Sequence, residues 1–120
     1  HFYGENRRVE QQAQALRCGD FAAFLELVKE SGRSSWMYLQ NITPAGYIEH
    51  QDMALALAMC DTQLAGRGAF RVHGGGFAGA VQAFVPTDML DAFKSGIENV
   101  FGKDSCHVLS VRNAGGIRVK

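Results

Sequence analysis

The sequence carries no excess charge of either sign. Twelve lysine and arginine residues balance twelve aspartate and glutamate residues in a chain of 120 residues. Proteins that bind nucleic acids usually present a basic stripe or patch, and the sequence contains no basic run of that kind. The composition therefore argues against a nucleic-acid partner.

Long hydrophobic runs are also missing. The longest apolar stretch, Met53–Cys60, is far shorter than the roughly 20 residues that a membrane-spanning helix needs, and no secretory signal pattern opens the chain. With 47% hydrophobic and 20% charged residues, the composition is typical of a soluble globular protein. We predict one domain over residues 1–120, located in the cytoplasm and without a membrane partner.

Cysteine is scarce and irregularly spaced. Cys18, Cys60 and Cys106 form no CxxC pair, so neither a zinc site nor a redox motif is indicated. We expect three buried, reduced thiols, as in an ordinary cytosolic protein. The histidines are too scattered along the chain to suggest a metal site.

The first half of the chain has helical periodicity. One helix is predicted around Val9–Leu16, a second from the N-cap Asp20 to Gly32, and a third over Glu49–Leu64. Residues 33–46 have no clean period and are predicted to form a helical turn followed by an irregular loop.

The second half changes to alternating polarity, which is typical of strands. The predicted strands are Phe70–His73, Ala80–Val85, His107–Arg112 and Ile117–Val119, all in one antiparallel sheet. A helix capped by Thr87 and ended by Gly102 lies between the second and third strands. The order of elements predicts an α+β two-layer sandwich, in which a four-stranded antiparallel sheet packs against helices on one side.

Four glycines occur within six residues, Gly74–Gly79, between the first two predicted strands. Their spacing matches the dinucleotide fingerprint, but that motif needs a helix directly after it, and here a strand is predicted. No Gly-Lys-Ser/Thr follows, which excludes a P-loop. Such a loop could point backbone N–H groups at an anion or let another chain approach closely. A purely structural hairpin remains the alternative.

Three segments together resemble the galactokinase branch of the GHMP kinases. Arg71–Val85, RVHGGGFAGAVQAFV, resembles the third signature of that branch, in which a strand enters a GGGF-small-G loop and an apolar strand follows. His1–Val9 is similar to a family helix with a His…Glu-x-x-Arg pattern. Gly19–Ser31 is similar to the family segment GD-aromatic-x-x-F-G-x-L-M-x-E-S. The resemblance covers nearly the whole chain.

The resemblance implies the C-terminal domain of a two-domain sugar kinase, with the ferredoxin-like sheet of that family. Such a kinase transfers the γ-phosphoryl group of ATP to the anomeric hydroxyl of galactose or a related sugar. The N-terminal domain of the same protein, the expected partner, carries the phosphate loop Pro-x-x-x-Gly-Leu-x-Ser-Ser-Ser and the catalytic Asp. This chain then holds no catalytic residue and is not expected to be active by itself. ATP and Mg²⁺ are expected in the full-length enzyme and not on this chain alone.

The resemblance also assigns candidate site residues. The glycine-rich loop would close the cleft over the phosphates, and His73 is a candidate on the substrate side. The loop residues are Gly74, Gly75, Gly76, Phe77, Ala78 and Gly79. Ala78 stands where the family usually has glycine and His73 where threonine is usual. The Trp36–Asn41 segment lies in a stretch that is usually charged.

Two other functional classes are compatible with the same sequence. A free-standing module could bind a small metabolite at the glycine-rich turn, or the chain could be an interaction domain. The chain begins at His1 rather than Met, which we take to favour an excised domain. Trp36 and Tyr38 could stack on a sugar or a partner domain, or pack internally. An excised domain should leave apolar side chains uncovered near residues 36–48 and 74–79.

Overall fold

The computed structural model describes residues 1–77 and 79–111. Within them the chain forms four α-helices and one two-stranded antiparallel sheet. The elements are α1 (Phe2–Arg17), α2 (Phe21–Leu39), α3 (Asp52–Leu64), β1 (Ala69–His73), β2 (Ala80–Phe84) and α4 (Leu90–Phe101), with a 3₁₀ turn at Thr87–Met89 before α4.

Helices cover both faces of the β-hairpin. Alternation along β1 places Phe70 and Val72 on the face that packs against α3. Arg71 points to the opposite face, which α2 covers, and there Phe24 of α2 stacks edge-on against Phe84 of β2 with ring centroids 5.3 Å apart. Helix α1 packs on α2, and α4 packs on α3. The hairpin is therefore the middle layer of three.

Two adjoining clusters of buried side chains form the core on the α3 side of the hairpin. They consist of Ile42, Met53, Leu57 and Val72, and of Cys60, Leu64 and Phe93. Because α3 supplies members of both clusters, this helix joins the hairpin to α4 and fixes the position of β1.

The predicted four-stranded, two-layer sandwich is wrong. In the described part of the chain the sheet has two strands, and helices lie on both of its faces instead of one. Residues 107–111 form neither helix nor strand, and Val108 and Leu109 are exposed there. Alternating polarity favours a strand only where a neighbouring edge offers hydrogen-bond partners and apolar cover, and residues 107–111 pair with no such edge. Arg112 and the predicted strand Ile117–Val119 lie outside the described residues.

The predicted end of the second helix is also wrong. Helix α2 continues through Gly32 to Leu39, where Gln40 adopts a left-handed conformation (φ 52°). Gly32 serves close packing: a Cβ atom built on it would lie 2.8 Å from the Cβ atom of Arg71 on β1. The glycine therefore lets helix and strand approach each other without interrupting the helix.

The helix caps give a mixed outcome. The Asp20 cap is confirmed, because its Oδ1 accepts the N–H of Ala23 at 3.1 Å. Thr87 makes no capping hydrogen bond with its side chain, and the 3₁₀ turn precedes α4 instead. Gly102 ends α4 as predicted, with φ 101°.

Candidate functional site

The glycine-rich loop projects from the end of the hairpin. His73, the last residue of β1, is paired with Ala80, the first residue of β2, so the intervening residues connect two adjacent strands. The residue that follows Gly79 begins a strand and not a helix. A dinucleotide fingerprint needs a helix N-terminus at this point to receive the pyrophosphate, so the structure excludes that interpretation.

The outer side of the loop is open backbone. Gly74 and Gly76 have positive φ angles of 67° and 81°, and Phe77 follows with φ 53°. A Cβ atom built on Gly74 or on Gly75 would meet no other atom within 4 Å. Among the described residues, no acceptor takes the N–H of either glycine. Backbone N–H groups in such an irregular, glycine-rich turn can bind an anion.

The inner side of the loop is attached to the segment that follows α2. The N–H of Phe77 donates to the backbone carbonyl of Asn41 at 2.7 Å. The side-chain Nδ2 of Asn41 donates to the carbonyl of Gly75 at 3.2 Å and to Ser35 Oγ at 2.9 Å. A Cβ atom on Gly76 would overlap the carbonyl oxygen of Asn41. The loop therefore has one anchored side and one open side.

Sequence reasoning missed Asn41 as a site residue. In the sequence, Asn41 is distinguished only as the end of the segment that departs from the galactokinase pattern. One available signal is its position directly after Gln40, at the end of a helix whose last turns are partly apolar. That position alone does not reveal that the side chain is completely buried, because burial depends on how the hairpin folds back onto the end of α2.

The other predicted site residues that the structure describes are exposed. His73 is exposed at the end of β1. Trp36 and Tyr38 are exposed by 47% and 67%, so neither is a core residue. Phe77, at the tip of the loop, is exposed by 55%. Ala78 lies outside the described residues.

Apolar side chains are exposed in both segments in which the sequence predicted an uncovered surface. They are Trp36, Met37, Tyr38, Leu39, Tyr47, Ile48 and Phe77. The hydrogen bond between Phe77 and Asn41 joins the two segments. Large apolar side chains are also exposed elsewhere, at Phe2 and Tyr3 and at Val108 and Leu109, so exposure alone does not identify the function of this surface.

A charged cluster supports the strand that leads into the loop. Glu5 of α1 accepts hydrogen bonds from Ser31 Oγ at 2.6 Å and from Arg8 Nε at 3.0 Å, and Arg71 of β1 lies 3.4 Å from its Oε1. Arg71 also donates to Ser31. Burial alone would raise the pKa of Glu5, but the hydrogen bonds and the two guanidinium charges outweigh it and lower that pKa. This cluster ties α1, α2 and β1 together.

A groove of about 420 Å³ runs along β1 between α2 and α3. Its lining includes Gly32, Trp36, Leu57 and Phe70. Within residues 1–77 and 79–111, no group of three or more His, Cys, Asp or Glu side chains could hold a metal ion. No helix in the same residues is long and apolar enough to cross a membrane.

No protein-family model matches the chain, and no solved structure gives a significant match. The resemblance to galactokinases therefore rests on the three sequence segments.

Proposed function

We propose that this chain is the C-terminal domain of a galactokinase-like GHMP kinase, which closes the active-site cleft with Gly74–Gly79. The observation that carries the proposal is the two-sided loop between β1 and β2. Its inner side is attached to Asn41, and its outer side presents the N–H groups of Gly74 and Gly75, for which the described residues supply no acceptor. This strand–loop–strand arrangement agrees with the signature that the sequence resembles.

Phosphoryl transfer gives such a loop a clear task. Catalysis of this reaction depends mainly on positioning and on stabilising the charge of the phosphate oxygens. Backbone N–H donors that are held in place supply part of that stabilisation without introducing a side chain into the cleft. In the proposed enzyme the N-terminal domain supplies the phosphate loop and the catalytic Asp. ATP and Mg²⁺ belong to the assembled active site.

The proposed partner is the N-terminal kinase domain of the same protein, in the cytoplasm. The Trp36–Leu39 turn, which has exposed apolar side chains, lies just before Asn41, to which the loop is attached, and Phe77 is exposed in the loop itself. A domain that closes over bound phosphates would cover such side chains, and covering them would favour closure by removing apolar surface from water. The substrate side would hold galactose or a related sugar, with His73 as a candidate contact.

A kinase assay tests the proposal. The 120-residue chain alone should give no turnover of ATP with a panel of hexoses, because the phosphate loop and catalytic Asp are supplied by the other domain. The same chain joined to the protein sequence encoded upstream of it should phosphorylate galactose or a related sugar. That upstream sequence should contain Pro-x-x-x-Gly-Leu-x-Ser-Ser-Ser.

Two outcomes would contradict the proposal. Turnover by the purified 120-residue chain, at a rate expected of a kinase, would show that catalysis does not require a phosphate loop and a catalytic Asp from another domain. An upstream sequence without any phosphate loop would favour the alternative of a free-standing metabolite-binding or interaction module. Screening the isolated chain against small metabolites would then separate those two classes.

A further inference from the structure

Asn41 is a polar residue in a fully buried position. It has no solvent exposure, and among the described residues its Oδ1 finds no hydrogen-bond donor. An acceptor that is buried without a donor lowers the stability of the folded state. A residue that carries such a cost needs a reason to be there, and the packing of the core does not supply one.

The hydrogen bonds of Asn41 supply the reason. Its Nδ2 donates to the carbonyl of Gly75, and its own carbonyl accepts the N–H of Phe77. One residue therefore holds the backbone on both sides of Gly76. The side-chain amide cannot be turned over, because Oδ1 would then face the carbonyl oxygen of Gly75 and two acceptors would meet.

The planarity of the peptide bond carries this effect to the open side of the loop. The C=O of Gly75 and the N–H of Gly76 belong to one peptide unit, and in a trans peptide they point in opposite directions. The structure contains no cis peptide among the described residues. Drawing the Gly75 carbonyl inward to Asn41 therefore directs the N–H of Gly76 away from Asn41. An apolar residue at position 41 could not impose this orientation.

We propose that Asn41 is the positioning residue of the glycine loop: by holding Gly75 and Phe77, it fixes the backbone so that the N–H groups of Gly74 to Gly76 can receive a phosphate. The proposal rests on the proposed function for the identity of the ligand. The attachment of the loop to Asn41 does not depend on the identity of the ligand. The experiment therefore measures loop order and phosphate binding separately.

The test compares Asn41→Ala with Ser35→Ala in the ¹⁵N-labelled 120-residue chain. Both variants remove one partner from the same buried hydrogen-bond pair, so both should lower the melting temperature. Only Asn41→Ala removes the bond to Gly75. Heteronuclear NOE values of the loop glycines report the order of the backbone. Titration with inorganic tripolyphosphate, followed through the Gly74 and Gly75 amide resonances, reports phosphate binding.

We expect Asn41→Ala to lower the NOE values of the loop glycines and to weaken tripolyphosphate binding about tenfold, equivalent to about 1.4 kcal/mol. Ser35→Ala should keep the loop ordered and bind within about twofold of the unmodified chain. If Asn41→Ala does not fold, Asn41→Asp keeps the side-chain shape but places a carboxylate oxygen against Gly75. Loop order alone is then measured, since the new charge would itself repel phosphate.

Each result has one meaning. Unchanged loop order and unchanged binding in Asn41→Ala would overturn the positioning role. A wild-type chain whose loop resonances do not respond to tripolyphosphate would contradict the proposed phosphate contact. In that case the NOE values of Asn41→Ala still decide whether Asn41 holds the loop.

Discussion

Alanine substitutions at three successive glycines separate two effects of a side chain in the loop: backbone strain at a positive φ angle and steric overlap with a neighbouring residue. Gly74 has a positive φ but open space around its Cβ position, and Gly75 has neither a positive φ nor a close neighbour. Gly76 has both a positive φ of 81° and a Cβ position that overlaps the backbone of Asn41. Gly74→Ala therefore tests the backbone strain alone, and Gly76→Ala tests the strain together with the steric overlap. Gly75→Ala introduces neither effect and serves as the control.

The expected free energies of unfolding follow from these differences. Gly75→Ala should change stability by no more than about 0.5 kcal/mol. Gly74→Ala should cost about 1 kcal/mol, because a Cβ atom disfavours the left-handed conformation. Gly76→Ala should cost about 2–4 kcal/mol, since the backbone of Asn41 must also move. For a domain of this size the last value corresponds to a melting temperature lower by about 8–16 °C.

Urea unfolding of the 120-residue chain, followed by circular dichroism, measures all three values. The essential result is that the loss of stability increases from Gly75→Ala to Gly74→Ala to Gly76→Ala. Equal effects of Gly75→Ala and Gly76→Ala would refute the reasoning, because they would show that the loop does not rest on Asn41. In the proposed intact kinase, Gly76→Val should lower kcat more strongly than it lowers stability, since small misplacements of groups near reacting atoms are costly.

Four further predictions concern the rest of the chain. Gly32→Ala should destabilise the fold by about 1–3 kcal/mol in thermal unfolding, because its Cβ would crowd β1. Gly4→Ala, where the nearest atoms belong to a flexible arginine 3.5 Å away, should instead stabilise α1 by about 0.5–1 kcal/mol. The pKa of Glu5 in the folded protein lies below its ordinary value of 4.5, so the ion pairs of Glu5 contribute stability above about pH 4.5 that is lost as the pH falls through the lower folded pKa. Glu5→Gln should therefore reduce the loss of stability that urea titrations measure between pH 7 and pH 3. An unchanged dependence of stability on pH would contradict this role of Glu5. Burial, with a smaller contribution from Cys106, raises the pKa of the Cys60 thiol to about 11. Iodoacetamide at pH 8 should therefore alkylate the exposed Cys18 long before Cys60. Equal alkylation rates of the two cysteines in peptide mass spectra would contradict the burial of Cys60.

The elements that could be predicted from sequence are those whose signals are local. Asp20 caps its helix through atoms three residues away, and the strands on either side of the glycine loop pair through a short hairpin. Their energetics depend on neighbours in the chain, which a sequence pattern contains. The loop itself was located correctly for the same reason.

The errors arose where a distant contact decides the structure. Gly32 has the local signature of a helix end, yet α2 continues through it, and the absence of a side chain there allows Arg71 of β1 to pack against the helix. Residues 107–111 have a strand pattern but no strand partner in the described part of the chain. Asn41 became part of the candidate site only because the hairpin returns to the end of α2. None of these contacts is present in a local sequence window.

The attachment of the loop to the end of α2 has an optical consequence. Trp36 is the single tryptophan of the chain, and its carbonyl accepts the N–H of Gln40 at 3.0 Å, directly before Asn41. A displacement of the loop would pull on Asn41 and so on the last turn of α2. Because the indole of Trp36 is about half exposed, its emission should respond to such a displacement or to a domain that covers it. The protein thus contains its own fluorophore for following a displacement of the loop, or the proposed cleft closure, in stopped-flow experiments, without a label and without altering the loop.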